Sequence, residues 1–108
     1  MKRQMRLTYN GFKEDKMIIY IAGPMAWLPD RNAEAFYEAE ERLTEQGHSV
    51  LNPAWLPEGL EERDYLPIDI AMLRAADAIY LLPGWERSFG ARAEQAFAIR
   101  QGMAVIQE

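Results

Sequence analysis

The chain has no cysteine and only one histidine, His48, among its 108 residues. The first absence excludes disulfides and thiolate metal sites. The second leaves too few nitrogen ligands for a tight transition-metal centre and gives a Ser-His-Asp triad no well-placed base. Neither G-x-G-x-x-G nor G-x-x-x-x-G-K-[ST] occurs, so the dinucleotide and Walker phosphate loops are absent. No window reaches the roughly 18 apolar residues of a membrane helix, and no signal-peptide core opens the chain. The expectation is a cytoplasmic protein with no membrane partner, no metal and no cofactor.

What is present is ordinary for one globular domain: 49% hydrophobic and 27% charged residues, without disordered or membrane-like bias. A chain of this length buries roughly 60–70% of its unfolded surface, enough for a single compact core. Charge is unevenly placed. Residues 1–16 balance at +3 while the whole chain carries −5, so the remainder stands at −8. Residues 1–16 read as a basic N-terminal tail and 17–108 as the folded domain. An acidic body with no clustered Lys/Arg argues against duplex nucleic acid as a partner.

Hydrophobic periodicity predicts alternating strands and helices. Residues 17–22 form an apolar run suited to a strand buried on both faces, ending at Gly23-Pro24. A helix is expected from Asp30 as N-cap, with Ala33, Phe36, Tyr37, Ala39 and Leu43 on its apolar stripe, until Gly47. Further strands are predicted at 49–52, 77–82 and 103–106, and further helices at 65–75 and 90–101, the last closed by Gly102. This order implies an α/β fold: a small flavodoxin-like (Rossmann-like) three-layer sandwich with a four-stranded parallel sheet in the order 2-1-3-4. Ligands in such sheets bind beyond the carboxyl ends of the strands at the switch point. The segments meeting there are Gly23-Pro24-Met25, the loop opened by Asn52, and Pro83-Gly84-Trp85-Glu86. Trp27, Trp55 and Trp85 all fall in these loops, placed either to stack on a base or to form an apolar lid or subunit interface. His48 lies at the opposite edge, in a surface turn.

One stretch stands out. The strand 77–82 runs into a turn with Ser88 and Gly90, and Glu94 follows within the first turns of the next helix. Backbone N–H groups at such a helix start, with a Ser hydroxyl, suit an anion. The acids near the strand ends are Asp64, Asp69, Asp77, Glu86 and Glu94. Asp77 reads as a structural residue of the helix–strand turn, and Glu86 as a loop residue able to pair with Arg87 or Arg92. Asp69, flanked by Ile68 and Ile70, is either solvent-facing or a buried group with a task.

The ordered set Tyr20–Met25, Asn32, Phe36, Asn52-Pro53-Ala54, Asp69, Ala76–Glu86, Ser88, Gly90-Ala91 and Glu94 resembles a phage and bacterial family (DUF4406-like). That family is related to the nucleoside 2-deoxyribosyltransferases and the nucleoside 5′-monophosphate N-glycosidases, and the resemblance covers residues 17–106. It implies Glu94 as the nucleophile on the anomeric carbon and Asp69 as the acid that assists the departing base. Tyr20 becomes the hydroxyl that orients the nucleophile. It further implies substrate contacts at Gly23, Pro24, Met25, Asn52, Trp85, Ser88, Gly90 and Arg92. Ser at position 88 is the form found in the nucleotide hydrolases, where it binds a 5′-phosphate; the transferases carry Asp there. Pro24 stands where the hydrolases have a second phosphate-binding Ser, a loss that Arg87 or Arg92 can offset.

The chemistry agrees: breaking a glycosidic C–N bond builds oxocarbenium character that one carboxylate captures while a second carboxyl supplies a proton. The resemblance also implies a homodimer or higher homo-oligomer. Apolar Met25, Leu28, Leu56 and Leu60 near one edge fit that expectation. Two other functions remain open at this point: a non-catalytic nucleotide-binding protein, acting as sensor or sequestering agent, and an interaction module docking a protein through its loop tryptophans.

Overall fold

The computed structural model describes residues 16–108. The basic tail falls, apart from Lys16, outside the described residues. Four parallel strands, β1 (Ile18–Ala22), β2 (Ser49–Leu51), β3 (Ala78–Leu81) and β4 (Ala104–Gln107), lie in the order β2-β1-β3-β4. Three helices connect them: α1 (Ala33–Glu45), α2 (Glu62–Arg74) and α3 (Phe89–Arg100).

Side chains alternate across a strand, and that period of two sorts the core into two layers. Ile19 and Ile21 of β1, with Ala78 and Tyr80 of β3, face α1, which presents Phe36, Ala39 and Leu43 from successive turns. Tyr20 and Ala22, with Ile79 and Leu81, face the other way against Leu73 of α2 and Ala91 and Ala98 of α3. Phe36 and Leu73 are fully buried, each contributing roughly 1.5–3 kcal/mol of burial. The small Ala91 and Ala98 let α3 lie close to the sheet, which brings any longer inward residue between them to the strand ends.

Two expected boundaries move. The helix predicted from Asp30 begins instead at Ala33, because Asp30, Arg31 and Asn32 adopt left-handed backbone with φ of 53°, 52° and 62°. Asp and Asn tolerate that region better than most residues. Asp30 therefore caps nothing; the Asn32 amide instead donates to the Pro24 carbonyl at 3.0 Å, pinning the loop after β1. Helix α2 starts at Glu62, three residues before the predicted Tyr65, so Pro67 sits inside it.

The amino-terminal edge of the sheet is closed by structural polar groups. The Ile18 N–H donates to Asp77 Oδ2 at 2.8 Å, and the Met17 N–H to His48 Nδ1 at 3.1 Å. At the opposite edge the chain turns sharply. A Cβ on Gly23 would lie 2.8 Å from the Leu82 Cβ, so only glycine lets the end of β1 pass the end of β3. Gly23→Ala is therefore expected to destabilise the fold by about 1–3 kcal/mol through overpacking. Urea denaturation would register this as a lower midpoint with unchanged slope; an unchanged midpoint would show that Leu82 yields without cost.

Candidate active site

Three side chains converge beyond the carboxyl ends of β1 and β3. Tyr20 is one residue out of phase with the layer under α1, so the pleat sends its phenol toward α2 and α3. On α3 the inward stripe is Ala91, Glu94 and Ala98, and Glu94 is left only 5% exposed. On α2, Asp69 falls one turn after buried Tyr65 and one turn before buried Leu73, on the face turned inward. The Tyr20 hydroxyl donates to Glu94 Oε2 at 3.0 Å. The Asp69 and Glu94 carboxyls adjoin closely enough for each to act on the proton affinity of the other. Asp69 Oδ1 is buried without any partner.

Burial sets the protonation of this cluster. Loss of solvent is the largest cause that pushes Glu94 up to about 8, and the adjacent Asp69 charge adds to it against the Tyr20 hydrogen bond. Burial likewise pushes Asp69 up to about 7, while the Arg31 charge pulls it down. Tyr20 is driven well above its ordinary value, first by burial and then by the two carboxylates, so it stays a hydroxyl donor. Near neutrality the two acids hold at least one proton between them, giving one carboxylate and one acid side by side.

Both acids line one large cavity of about 1040 Å³ between α2, α3 and the loop after β1. Gly23, Met25, Ser88 and Gly90 line it too. Ser88 caps α3 by accepting from the Ala91 N–H at 3.1 Å. A Cβ on Gly90 would meet nothing within 4 Å, so the fold does not demand glycine there.

Other expected contacts lie elsewhere. The Asn52 side chain is fully buried and spent on structure: it accepts from the Ala54 N–H at 2.8 Å and donates to Glu40 Oε1 at 2.9 Å. Trp85 packs into the layer beneath α2 and α3, with its indole N–H buried and unpartnered, and does not reach the cavity. Pro24 is buried beside Gly84. Arg92 points outward, well off the stripe of Ala91, Glu94 and Ala98, whereas Arg87 lines the cavity. Glu86 pairs with neither arginine. Trp55 is held by Glu40 through its indole N–H at 2.9 Å, leaving Trp27, 55% exposed, as the tryptophan at the cavity.

Sequence reasoning missed Arg31, Tyr65, Glu62 and Phe89. The Arg31 guanidinium lies 4.6 Å from the centre of the Tyr65 ring and 3.7 Å from Glu62 Oε2. Its left-handed backbone, shared with both neighbours, costs on the order of 1 kcal/mol or more per residue, strain of a kind that clusters at functional sites. Part of the signal was present: Asp30 and Asn32 tolerate left-handed backbone, and Tyr65 precedes Asp69 by one helical turn. Phe89 is 77% exposed at the start of α3. Among the described residues no group of three His, Cys, Asp or Glu is placed to hold a metal ion, and no helix is long and apolar enough to cross a membrane.

Comparison with known proteins agrees with the fold. A family described as a domain of unknown function (DUF4406) matches residues 17–107. No curated protein matches the chain. Among solved structures, a 2-desoxiribosyltransferase from Leishmania mexicana superimposes with a TM-score of 0.68 at 24% identity, covering 86% of this chain. The chain spans 63% of the length of that enzyme. The solution structure of BlsM matches with a TM-score of 0.59 at 18% identity, over 83% of this chain and 79% of its own. These similarities show a shared fold.

The elevated carboxyls have a consequence for stability. In the unfolded chain Asp and Glu ionise near about 4, whereas in the fold Asp69 and Glu94 ionise at about 7 and about 8. Between those limits the native state holds more protons, so their contribution turns unfavourable as pH rises and is complete above about 8. Glu94→Gln keeps an acceptor for Tyr20 but removes one such charge. Its melting temperature is expected to exceed that of the wild type at pH 9, by an energy on the order of a few kcal/mol, with little difference at pH 4. Parallel melting curves at all pH values would show that Glu94 is not buried beside Asp69.

Proposed function

The chain belongs to the DUF4406 family, and from that premise we propose that it cleaves the base–sugar bond of a nucleoside or nucleoside 5′-monophosphate. The observation that carries this reading is the buried Tyr20–Glu94 hydrogen bond with the Asp69 carboxyl against the same Glu94, all facing one cavity. A carboxylate beside a second carboxyl that carries a proton is the equipment of a retaining double displacement.

In that reaction the proton of the pair lies on Asp69, the form that the Tyr20 hydrogen bond to Glu94 favours, and the Glu94 carboxylate attacks C1′ of the sugar as the C1′–N bond breaks. Asp69 gives its proton to the departing base nitrogen, and a glycosyl ester on Glu94 remains. Asp69, now a carboxylate, takes a proton from water or from the nitrogen of a second base. That acceptor attacks C1′ and frees Glu94. Tyr20, kept protonated by burial, orients the nucleophile and steadies its charge between steps. Arg87, Ser88 and Gly90 line the end of the cavity where α3 begins, and a 5′-phosphate there would meet a cation, a hydroxyl and space free of side chain.

Incubation with a panel of ribo- and deoxyribonucleoside monophosphates, followed by chromatography for free base, tests the proposal. Glu94→Ala is expected to lower release roughly 10³-fold or more, and Asp69→Asn by about 10²–10⁴-fold. Equal release from wild type and Glu94→Ala would remove Glu94 from the chemistry. Recovery of intact nucleotide from a protein that binds it would favour a sensor or sequestering role instead.

A further inference from the structure

The cavity has a second polar group besides the acids and the α3 end: Arg31 and Glu62, both on its wall. The guanidinium is held by the Tyr65 ring at 4.6 Å, by Glu62 at 3.7 Å and by the Met25 sulfur at 3.9 Å, and its residue has left-handed backbone. Tyr65 is itself fixed, since its hydroxyl donates to the Pro57 carbonyl at 2.7 Å. An exposed ion pair alone contributes little to stability and would not maintain three strained residues in a row. The charge of the same guanidinium eases the ionisation of Asp69, and both groups line the one cavity.

Position along α2 defines what that ligand presents. Asp69, Tyr65 or Leu66, and Glu62 recur at spacings of three and four residues, on one side of the helix. Seven residues of helix rise about 10 Å. With the sugar carbon at Glu94 and Asp69, that length suits the span from the glycosidic nitrogen to a partner hydrogen-bonded at the far edge of a purine. Trp27 stands at the cavity with its ring exposed, suited to stacking on the base face.

The hydrogen-bonding code then chooses among bases. Arginine only donates, and its fork matches the O6 and N7 acceptors of guanine; an ionised glutamate only accepts, which matches the guanine N1–H and N2–H donors. Adenine would turn its N6 donor toward the guanidinium. We propose that Arg31 and Glu62 are the base-reading end of this cavity and select a 6-oxopurine, guanine above all. The proposal rests on the cleavage reading above for where the sugar lies.

The test measures binding and turnover separately. Calorimetry on the Glu94→Gln chain with dGMP, dIMP, dAMP and dCMP is expected to show dGMP and dIMP binding about tenfold or more tighter than dAMP. Adding Arg31→Ala is expected to abolish the difference. Arg31→Lys, which keeps the charge but loses the fork, is expected to abolish most of it too. Base release by the otherwise wild-type chain should follow the same order. Equal or tighter binding of dAMP, no binding of any of the four, or a guanine preference that survives in a folded Arg31→Ala chain would overturn the inference. Release without a guanine preference would overturn this inference and leave cleavage standing. An Arg31-dependent guanine preference in binding, with no release from any nucleotide, would do the reverse.

Discussion

The whole site depends on two carboxyl groups set beside each other out of water, which hold at least one proton between them near neutral pH. Taken out of water, neither Asp69 nor Glu94 ionises readily; the Asp69 charge makes Glu94 harder still to ionise, whereas Arg31 and Glu94 ease the ionisation of Asp69. A hydroxyl that will not itself ionise, Tyr20, secures one of them. Such an arrangement detracts from folding stability near and above neutral pH. A chain of 108 residues has little margin for it, and strain of this kind is characteristic of sites that do chemistry.

The sheet meets that cost by rigidity. Tyr20 comes from the central pair of strands, where β1 is hydrogen-bonded on both sides, while Asp69 and Glu94 ride on the two helices packed over the same face. Gly23 lets β1 and β3 end against each other, and Ala91 and Ala98 seat α3 tightly on the sheet. Each catalytic candidate therefore projects from a regular element. The loops supply further cavity wall: Trp27 and Arg31 after β1, Arg87 and Ser88 after β3.

Much of this was legible in the amino-acid sequence. Apolar runs and their spacing gave the strands, the helices and the order 2-1-3-4, because strand and helix periods leave distinct patterns even in short segments. The ordered motifs singled out Tyr20, Asp69 and Glu94, and the structure brings those three together. What failed was direction. Asn52 and Trp85 lie in the right loops but turn into the protein, and Arg92 lies on the right helix but faces solvent. Loop composition tells which edge a residue occupies, not which way its side chain points. Arg31 was hidden for another reason: a continuous helical pattern from Asp30 onward masked three left-handed residues that only tertiary contacts fix, among them the Asn32 bond to the Pro24 carbonyl.

The most direct measurement of the central claim is the ionisation of the two acids themselves, followed by ¹³C nuclear magnetic resonance of the side-chain carboxyls across pH. Glu94→Gln and Asp69→Asn would assign the signals. The account expects both groups to titrate above about 6 in the wild type, and Glu94 to titrate lower once Asp69 is replaced by asparagine. Ordinary carboxylate titration near about 4 for both groups, or a Glu94 curve indifferent to Asp69, would contradict it.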